Sequence, residues 1–330
     1  MPAAPSLRVL ALVLLVAAAV ALMQLAFNDY LLTLASIILI NVTLATSLSL
    51  TNGLTGLFSL GHPAFMTVGG YVAAILTFPA SRKGFMMPEL PEALAVQQWD
   101  LLPAMLTGGV VAAAVALLVG FPVLRLRGHY LAVATLGLII IVKVLVNNLD
   151  GYTRGGLGLN GLPRLTNLWW TAGLAVVTIA VCWRVKHSSL GRAMMALREN
   201  EMAARCLGIS ALRLRMTAFV LGAFFAGLSG AQMAHLITVI TPGTYSVLLA
   251  FNLVVMIVVG GSGSLTGAVA AAVGLSVLSE ALRPVEESLE LYGLSQVILA
   301  LCLLLILVFR PGGLFGSGEP AAVRRFLGGG

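Results

Sequence analysis

The stretch LLPAMLTGGVVAAAVALLVG, residues 101–120, contains no charged side chain. A helix needs about 20 apolar residues to cross a hydrocarbon core about 30 Å thick, and this run has that length. Because lipid offers no hydrogen-bond partners, a single spanning segment must satisfy its backbone groups internally, which an α-helix does. The stretch therefore predicts a transmembrane helix.

The same pattern recurs along the whole chain of 330 residues. Hydrophobic residues make up 59% of the sequence and charged residues 9%, with a mean hydropathy of +1.03, whereas soluble domains carry about 25% charged residues. We predict an all-α polytopic membrane protein with about ten transmembrane helices. The predicted spans are residues 9–27, 30–50, 63–80, 101–120, 130–146, 168–184, 217–236, 246–261, 264–282 and 294–309.

The positive charges predict the orientation of these spans. An even number of spans places both termini on one side, and the side richer in Lys and Arg is cytoplasmic. An N-in/C-in topology puts most of the 19 Lys and Arg side chains in the cytoplasm. Lys143 falls within a span, where it either extends to the outer interface or contacts a pore or a partner. The cations predicted outside are Arg82, Lys83, Arg154, Arg164 and Arg283.

Glycine-rich segments interrupt the apolar pattern in both halves of the chain. They are TNGLTGLFSLGHPAF, residues 51–65, and GGSGSLTG, residues 260–267. Such breaks are typical of a transport path, but close helix packing through small residues explains the same glycines. Polar side chains inside or beside the spans are candidates for lining a path. These candidates are Thr43, Thr46, Asn52, His62, Thr135 and Asn252.

The sequence lacks the motifs of ATPases and of zinc metalloproteases. It contains no GxxxxGK[ST] phosphate-binding loop and no HExxH metal motif, so we expect neither ATP hydrolysis by this chain nor a cofactor. GGSG, residues 260–263, matches the serine motif of intramembrane proteases, but no histidine follows His235 to act as its base. The basic residues are dispersed, which argues against a nucleic-acid surface.

The stretch RENEMAARCLGIS, residues 198–210, is unusually rich in ionisable side chains. Asn200 is a favourable N-cap and Gly208 a favourable stop, so the stretch predicts a helix of about two turns. Small side chains at Ala203 and Ala204 would allow a partner to approach closely. An apolar ridge beside them suits a groove on another protein. That ridge is formed by Met202, Cys206 and Ile209.

This part of the chain resembles a known family. GRAMMALRENEMAARCLGI is similar to the EAA-type coupling segment of ABC importer permeases, in the form found in branched-chain amino-acid permeases of the LivM type. TGLFSLGHPAFMTVGGYVAAIL, AFFAGLSGAQMAH and TPGTYSVLLAFNLVVMIVVGGSGSLTGAV resemble the same family, and the likeness extends over about residues 36–310. Two departures are that Met202 stands where the general pattern has glutamate, and that RGGLGLNGLP has extra residues before Asn160.

The resemblance implies a permease subunit of an ABC importer for branched-chain or related hydrophobic amino acids in the bacterial inner membrane. It implies a second, related permease as a heterodimer partner, two ABC ATPase subunits, a periplasmic substrate-binding protein and contact with membrane lipid, but no nucleic acid. A urea or short-amide permease and an ATP-independent secondary transporter are the alternatives. The implied ATPase-coupling residues are Arg198, Glu199, Asn200, Glu201, Ala203, Ala204 and Gly208.

We predict three parts of the chain. Residues 1–30 form an N-terminal transmembrane helix, because its apolar stretch is longer than the 7 to 15 residues of a signal-peptide core. A cleaved signal peptide is the alternative. Residues 31–315 form the permease domain, which includes a cytoplasmic coupling loop at residues 185–216. Residues 316–330 form a cytoplasmic tail.

Overall fold

The computed structural model describes residues 5–126, 128–291, 293–310, 312–316 and 318–319. Besides the helices, these residues form one pair of two-residue strands, β1 (Leu159–Asn160) and β2 (Val239–Ile240), and a short 3₁₀ turn at Gly155–Leu157. A π-helix, Ser49–Leu54, continues the second helix. The α-helices are α1 (Pro5–Ala26), α2 (Asp29–Leu48), α3 (His62–Thr77), α4 (Ala80–Met86), α5 (Glu92–Ala95), α6 (Leu101–Val123), α7 (His129–Asn148), α8 (Asp150–Thr153), α9 (Leu168–His187), α10 (Ser189–Glu199), α11 (Glu201–Cys206), α12 (Ala211–Ile237), α13 (Val247–Gly260), α14 (Leu265–Leu289) and α15 (Leu294–Phe309).

The protein is an all-α, multi-pass membrane protein. Among the described residues, six helices are long and apolar enough to cross a membrane: α2 with its π-helical extension, α6, α7, α9, α12 and α14. The helices α3 and α4 meet at 119° and add a seventh span if the bent pair counts as one. Three shorter apolar segments fall in the remaining predicted spans. They are the Leu14–Ala26 part of α1, α13 and α15. Six or seven spans are therefore present by length and composition, and ten spans stay a prediction.

One compact unit contains the described residues within 1–49, 168–191 and 253–319. Within it, α2 packs against α9 and α14, α14 packs against α15, and α1 packs against α9. The Asn41 side-chain amide donates to the Ser276 hydroxyl at 3.0 Å, which joins α2 to α14. The Trp169 indole N–H donates to the Gln24 side-chain oxygen at 2.9 Å and so links α9 to α1. Both pairings satisfy polar groups on otherwise apolar helices.

The second compact unit contains residues 50–167 and 192–252, and α3, α6 and α12 form its centre. Glycines allow these three helices to approach one another at backbone distance. A Cβ atom at Gly69 would lie 2.7 Å from the Gly227 carbonyl carbon, and one at Gly108 would lie 2.5 Å from the Gly69 oxygen. Nearby, Phe65 and Phe219 pack edge to face with ring centroids 5.3 Å apart. This crossing fixes the relative positions of α3, α6 and α12.

At one end of the second unit, three loops predicted to lie outside the cell contact one another. Antiparallel β1 and β2 pair the 147–167 loop with the segment after α12. The 81–100 loop joins them, since the Glu89 N–H donates to the Gly151 carbonyl at 3.4 Å. Lys83, predicted on the outer surface, is only 1% exposed, and its ammonium donates to the carbonyls of Leu94 and Gln97. Lys83 therefore holds its loop in place.

The glycine-rich segment at 260–267 is explained by close packing. It forms the turn between α13 and α14, and a Cβ atom at Gly260 would overlap with the backbone of Gly267. Ser264 caps α14 by accepting from the Gly267 N–H at 3.1 Å. Of the two alternatives for this segment, the structure favours helix packing.

The described part of the predicted tail is bound to the first unit. The Glu319 carboxylate lies 2.5 Å from the Lys186 ammonium and accepts from the Leu265 N–H at 2.8 Å. Burial alone would raise the pKa of Glu319, but hydrogen bonds from Lys186 and Thr266 outweigh it, and the pKa is lowered. Residues 317 and 320–330 of the predicted tail lie outside the described residues.

Candidate functional site

The short helix predicted in the 198–208 segment is confirmed. It is α11, and the Asn200 side chain accepts from the Ala203 N–H at 3.0 Å, as an N-cap does. Gly208 follows with a φ of +78°, the left-handed conformation that ends many helices. The local sequence signals at both ends of this helix therefore produce the expected backbone.

The two alanines of α11 have different environments. Ala203 is exposed, whereas Ala204 is only 2% exposed, and α11 packs against α12. Ala204 is therefore covered by the chain itself, and a contact of either alanine with a partner stays a prediction. Met202 is 73% exposed and Leu207 80% exposed, so the outward side of α11 presents two uncovered apolar side chains. Together with Ala203, these two residues form what we call the apolar tip.

Glu201 is neutralised within the chain. Its carboxylate accepts from the Arg215 guanidinium at 2.9 Å and from Arg205, one turn along α11. Glu201 is partly buried, and Glu199 is exposed. Glu201 therefore holds α11 onto α12, because Arg215 belongs to α12.

Arg198 makes a contact that the sequence did not reveal. Its Nη1 atom donates to the backbone carbonyl of Gly53 at 2.7 Å, across 145 positions of sequence. Its side chain also packs on Gly56, where a Cβ atom would lie 3.0 Å from Cγ of Arg198. The 198–208 segment is thus bonded directly to the break after α2.

Polar groups hold this break in an irregular but satisfied conformation. The Asn52 side chain donates to the Ser59 carbonyl at 3.0 Å and accepts from the Ser59 N–H at 3.1 Å. The Thr135 hydroxyl accepts from the Leu60 N–H at 3.0 Å. His62 begins α3 and is buried. Three of the six path candidates therefore lie around residues 52–62, and two of them supply hydrogen bonds that the irregular backbone needs.

The remaining three path candidates lie on α2 and α13. The Thr43 hydroxyl donates to the Leu39 carbonyl one turn back on α2, at 3.0 Å. Thr46 is 0% exposed, and its hydroxyl has no hydrogen-bond partner among the described residues. Asn252 is half-buried on α13. A path role for these side chains stays a prediction.

A cavity of about 550 Å³ adjoins the broken segment and α11. Three parts of the chain line it, namely residues 56–58, residues 126, 128, 129 and 131 at the start of α7, and the Glu201–Arg215 ion pair. The predicted topology puts all three stretches in the cytoplasm. The cavity therefore places the 198–208 segment and the break after α2 on one surface.

These features define the chain as a multi-pass helical membrane protein with polar groups concentrated at a break in one span. Residues 29–308 match the sequence profile of the family described as branched-chain amino acid transport system / permease component. The chain belongs to this family. No solved structure matches the chain.

Individual relatives agree with the family match. The chain is 32% identical to the high-affinity branched-chain amino acid transport system permease protein LivM of Salmonella typhimurium, over 87% of this chain and 70% of the relative. It is 31% identical to LivM of Escherichia coli over the same shares. It is 26% identical to the permease protein LivH of E. coli, over 84% of this chain and 91% of the relative.

Proposed function

We propose that the chain is a transmembrane permease subunit of an ABC importer in the bacterial inner membrane, and that its substrates are branched-chain or related hydrophobic amino acids. The observation that carries this proposal is the family match over residues 29–308. The relatives support the substrate class, because both kinds carry branched-chain amino acid transport in their names. Urea, short amides and ATP-independent transport are not favoured.

The partners follow from the same observations. LivM and LivH are both permease proteins of high-affinity branched-chain transport systems, which supports a second, related permease as a heterodimer partner. Because the sequence has no phosphate-binding loop, two separate ATPase subunits supply the energy. A periplasmic binding protein delivers the substrate to the outer loops.

Uptake by a reconstituted complex tests this function. The chain is purified with the permease, ATPases and binding protein encoded beside it, and proteoliposomes containing ATP are given labelled leucine, urea or acetamide. We expect ATP-dependent accumulation of leucine that excess urea does not reduce and that disappears when the chain is omitted. Preferential uptake of urea, or accumulation driven by an ion gradient without ATP, would favour one of the alternatives.

The 198–208 segment couples ATP hydrolysis to transport in this proposal. The exposed apolar tip of α11 supports that role, because Met202 and Leu207 are apolar side chains without cover from their own chain. The caps at Asn200 and Gly208 also support it, since they hold a helix that would be marginal alone in water.

The proposed topology has ten spans with both termini in the cytoplasm. Two groups of contacts in the second unit support the alternation of the predicted spans between α3 and α12. Three predicted outer loops meet around β1 and β2, and three predicted cytoplasmic parts of the chain line the 550 Å³ cavity. If one of the spans between these parts were missing, residues that contact one another would lie on opposite sides of the membrane.

Thiol labelling in intact cells and in permeabilised cells tests this topology. Cys206 is exposed in the native chain, so an impermeant maleimide is expected to label it only after permeabilisation. In a Cys206→Ser, Cys302→Ser background, Leu157→Cys is expected to react from the periplasm without permeabilisation, because Leu157 is exposed between α8 and β1. Labelling of Cys206 from the periplasm would refute the proposed orientation.

A further inference from the structure

The second span loses regular geometry at a defined point. Its α-helical hydrogen bonding ends at Leu48 and is replaced by a six-residue π-helix, Ser49–Leu54. Gly56 follows with a φ of +68°, which prevents the helix from continuing. π-helical turns are rare and are found frequently at functional sites. The turn at Ser49–Leu54 therefore marks this part of the span as a candidate functional element.

Arg198 is bonded to the π-helical turn itself. Its guanidinium donates to the carbonyl of Gly53, the fifth of the six π-helical residues. A hydrogen bond from a charged donor is roughly twice as strong as one between neutral groups. The aliphatic part of the same side chain lies against Gly56, so Arg198 contacts both the π-helical turn and the residue that ends it.

Arg198 is also fixed to the segment proposed to meet the ATPases. It lies in the last turn of α10, two residues before the N-cap of α11. The Glu201–Arg215 ion pair holds α11 onto α12. Because Arg198 is only two residues from the N-cap of α11, a displacement of the apolar tip would change the hydrogen bond between Arg198 and the Gly53 carbonyl.

We infer that Arg198 transmits movement of the 198–208 segment to the π-helical turn of the second span. This inference rests on the proposed function, because it takes the ATPases to act on that segment. In this inference the turn acts as the two-state element that physical coupling between distant sites requires. The helix that contains it is continuous with α2, which carries Thr43 and Thr46. Arg198 is a positioning residue here, since it acts through the backbone of Gly53.

The test uses the reconstituted complex and the ratio of leucine transported to ATP hydrolysed. Arg198→Ala is expected to yield folded protein whose transport ratio falls at least about tenfold, which lies within the range of roughly 5- to 150-fold for ordinary coupling. Arg198→Lys is expected to recover at least roughly half of the native ratio, because an ammonium can donate to the same carbonyl. Arg213→Ala, which removes an exposed arginine of the same loop, is expected to match the native chain.

A second pair of variants leaves Arg198 in place. Gly56→Ala introduces a Cβ atom 3.0 Å from Cγ of Arg198 and is expected to lower the transport ratio as Arg198→Ala does. Gly128→Ala is the matched control, because Gly128 also has a positive φ, of +59°, but nothing lies within 4 Å of its Cβ position. The double variant Arg198→Ala, Gly56→Ala is expected to be no worse than Arg198→Ala alone, since both changes disrupt one contact.

Three results would overturn the inference. They are a native transport ratio in Arg198→Ala, equal ratios in Gly56→Ala and Gly128→Ala, and loss of folded protein or of ATPase subunits in both Arg198→Ala and Arg198→Lys. The last result would assign Arg198 a structural role only. Failure of the proposed function is separate, because the unmutated complex would then show no ATP-driven leucine uptake.

Discussion

Gly69→Ala is expected to reduce the yield of folded protein severely, even though it adds a single methyl group. The new Cβ atom would overlap with the backbone of Gly227 on α12, whose carbonyl carbon would be 2.7 Å away. No side-chain rotation can relieve a contact between a Cβ atom and a backbone, so α3 and α12 would have to separate. Overpacking in a dense interior costs typically 1–3 kcal/mol, and we expect about 3 kcal/mol or more here.

Gly137→Ala is the matched control for this prediction. Gly137 lies in the interior of α7, and nothing lies within 4 Å of its Cβ position. Since alanine favours a helix over glycine by up to about 1 kcal/mol, this variant should be as stable as the native chain or slightly more stable. The measurements are the yield of monodisperse protein in detergent and its melting temperature. Equal melting temperatures for the two variants would show that the crossing of α3, α6 and α12 is looser than the structure indicates.

Local signals in the sequence predicted the helices well. Every predicted span contains an apolar helix, because the length and composition of an apolar run are properties of neighbouring residues. The same is true of α11, whose ends depend on Asn200 and Gly208 within the segment itself. The number of full-length spans was harder to predict, because α13 and α15 are apolar but have fewer helical residues than a full crossing requires.

Contacts between distant residues could not be predicted from the sequence. The π-helical turn at Ser49–Leu54 is hydrogen-bonded to Arg198, 145 positions after Gly53, and neither stretch contains a sequence feature that predicts this contact. The glycine crossing joins α3, α6 and α12, whose glycines are unremarkable one at a time in a chain with 36 of them. The sequence likewise cannot tell Ala203 from Ala204. Only the folded structure shows that Ala204 is covered and Ala203 is exposed.

That difference between the alanines decides how the coupling role of α11 should be tested. Ala203→Glu is expected to give normal membrane insertion and a native melting temperature, because Ala203 is exposed in the chain. Leucine uptake by the reconstituted complex should be lost. A close-packed ATPase interface at the apolar tip would have to bury the new carboxylate without a partner, and leaving a charge buried and unpaired costs about 3–5 kcal/mol. The ATPase subunits are therefore expected either to dissociate or to hydrolyse ATP without responding to the loaded binding protein.

Two further variants separate this effect from general damage. Ala204→Glu is expected to lower the melting temperature of the isolated chain, because Ala204 is 2% exposed and lies within the chain's own packing. Ala93→Glu makes the same substitution at an exposed alanine of α5, in a loop that the proposed topology puts in the periplasm, and should leave ATPase association unchanged. The measurements are the ATPase retained on purified complexes and the leucine accumulated by proteoliposomes. If Ala203→Glu retained both at native levels, the apolar tip would not be the surface that receives the ATPases, and the 198–208 segment would have no coupling role at that position.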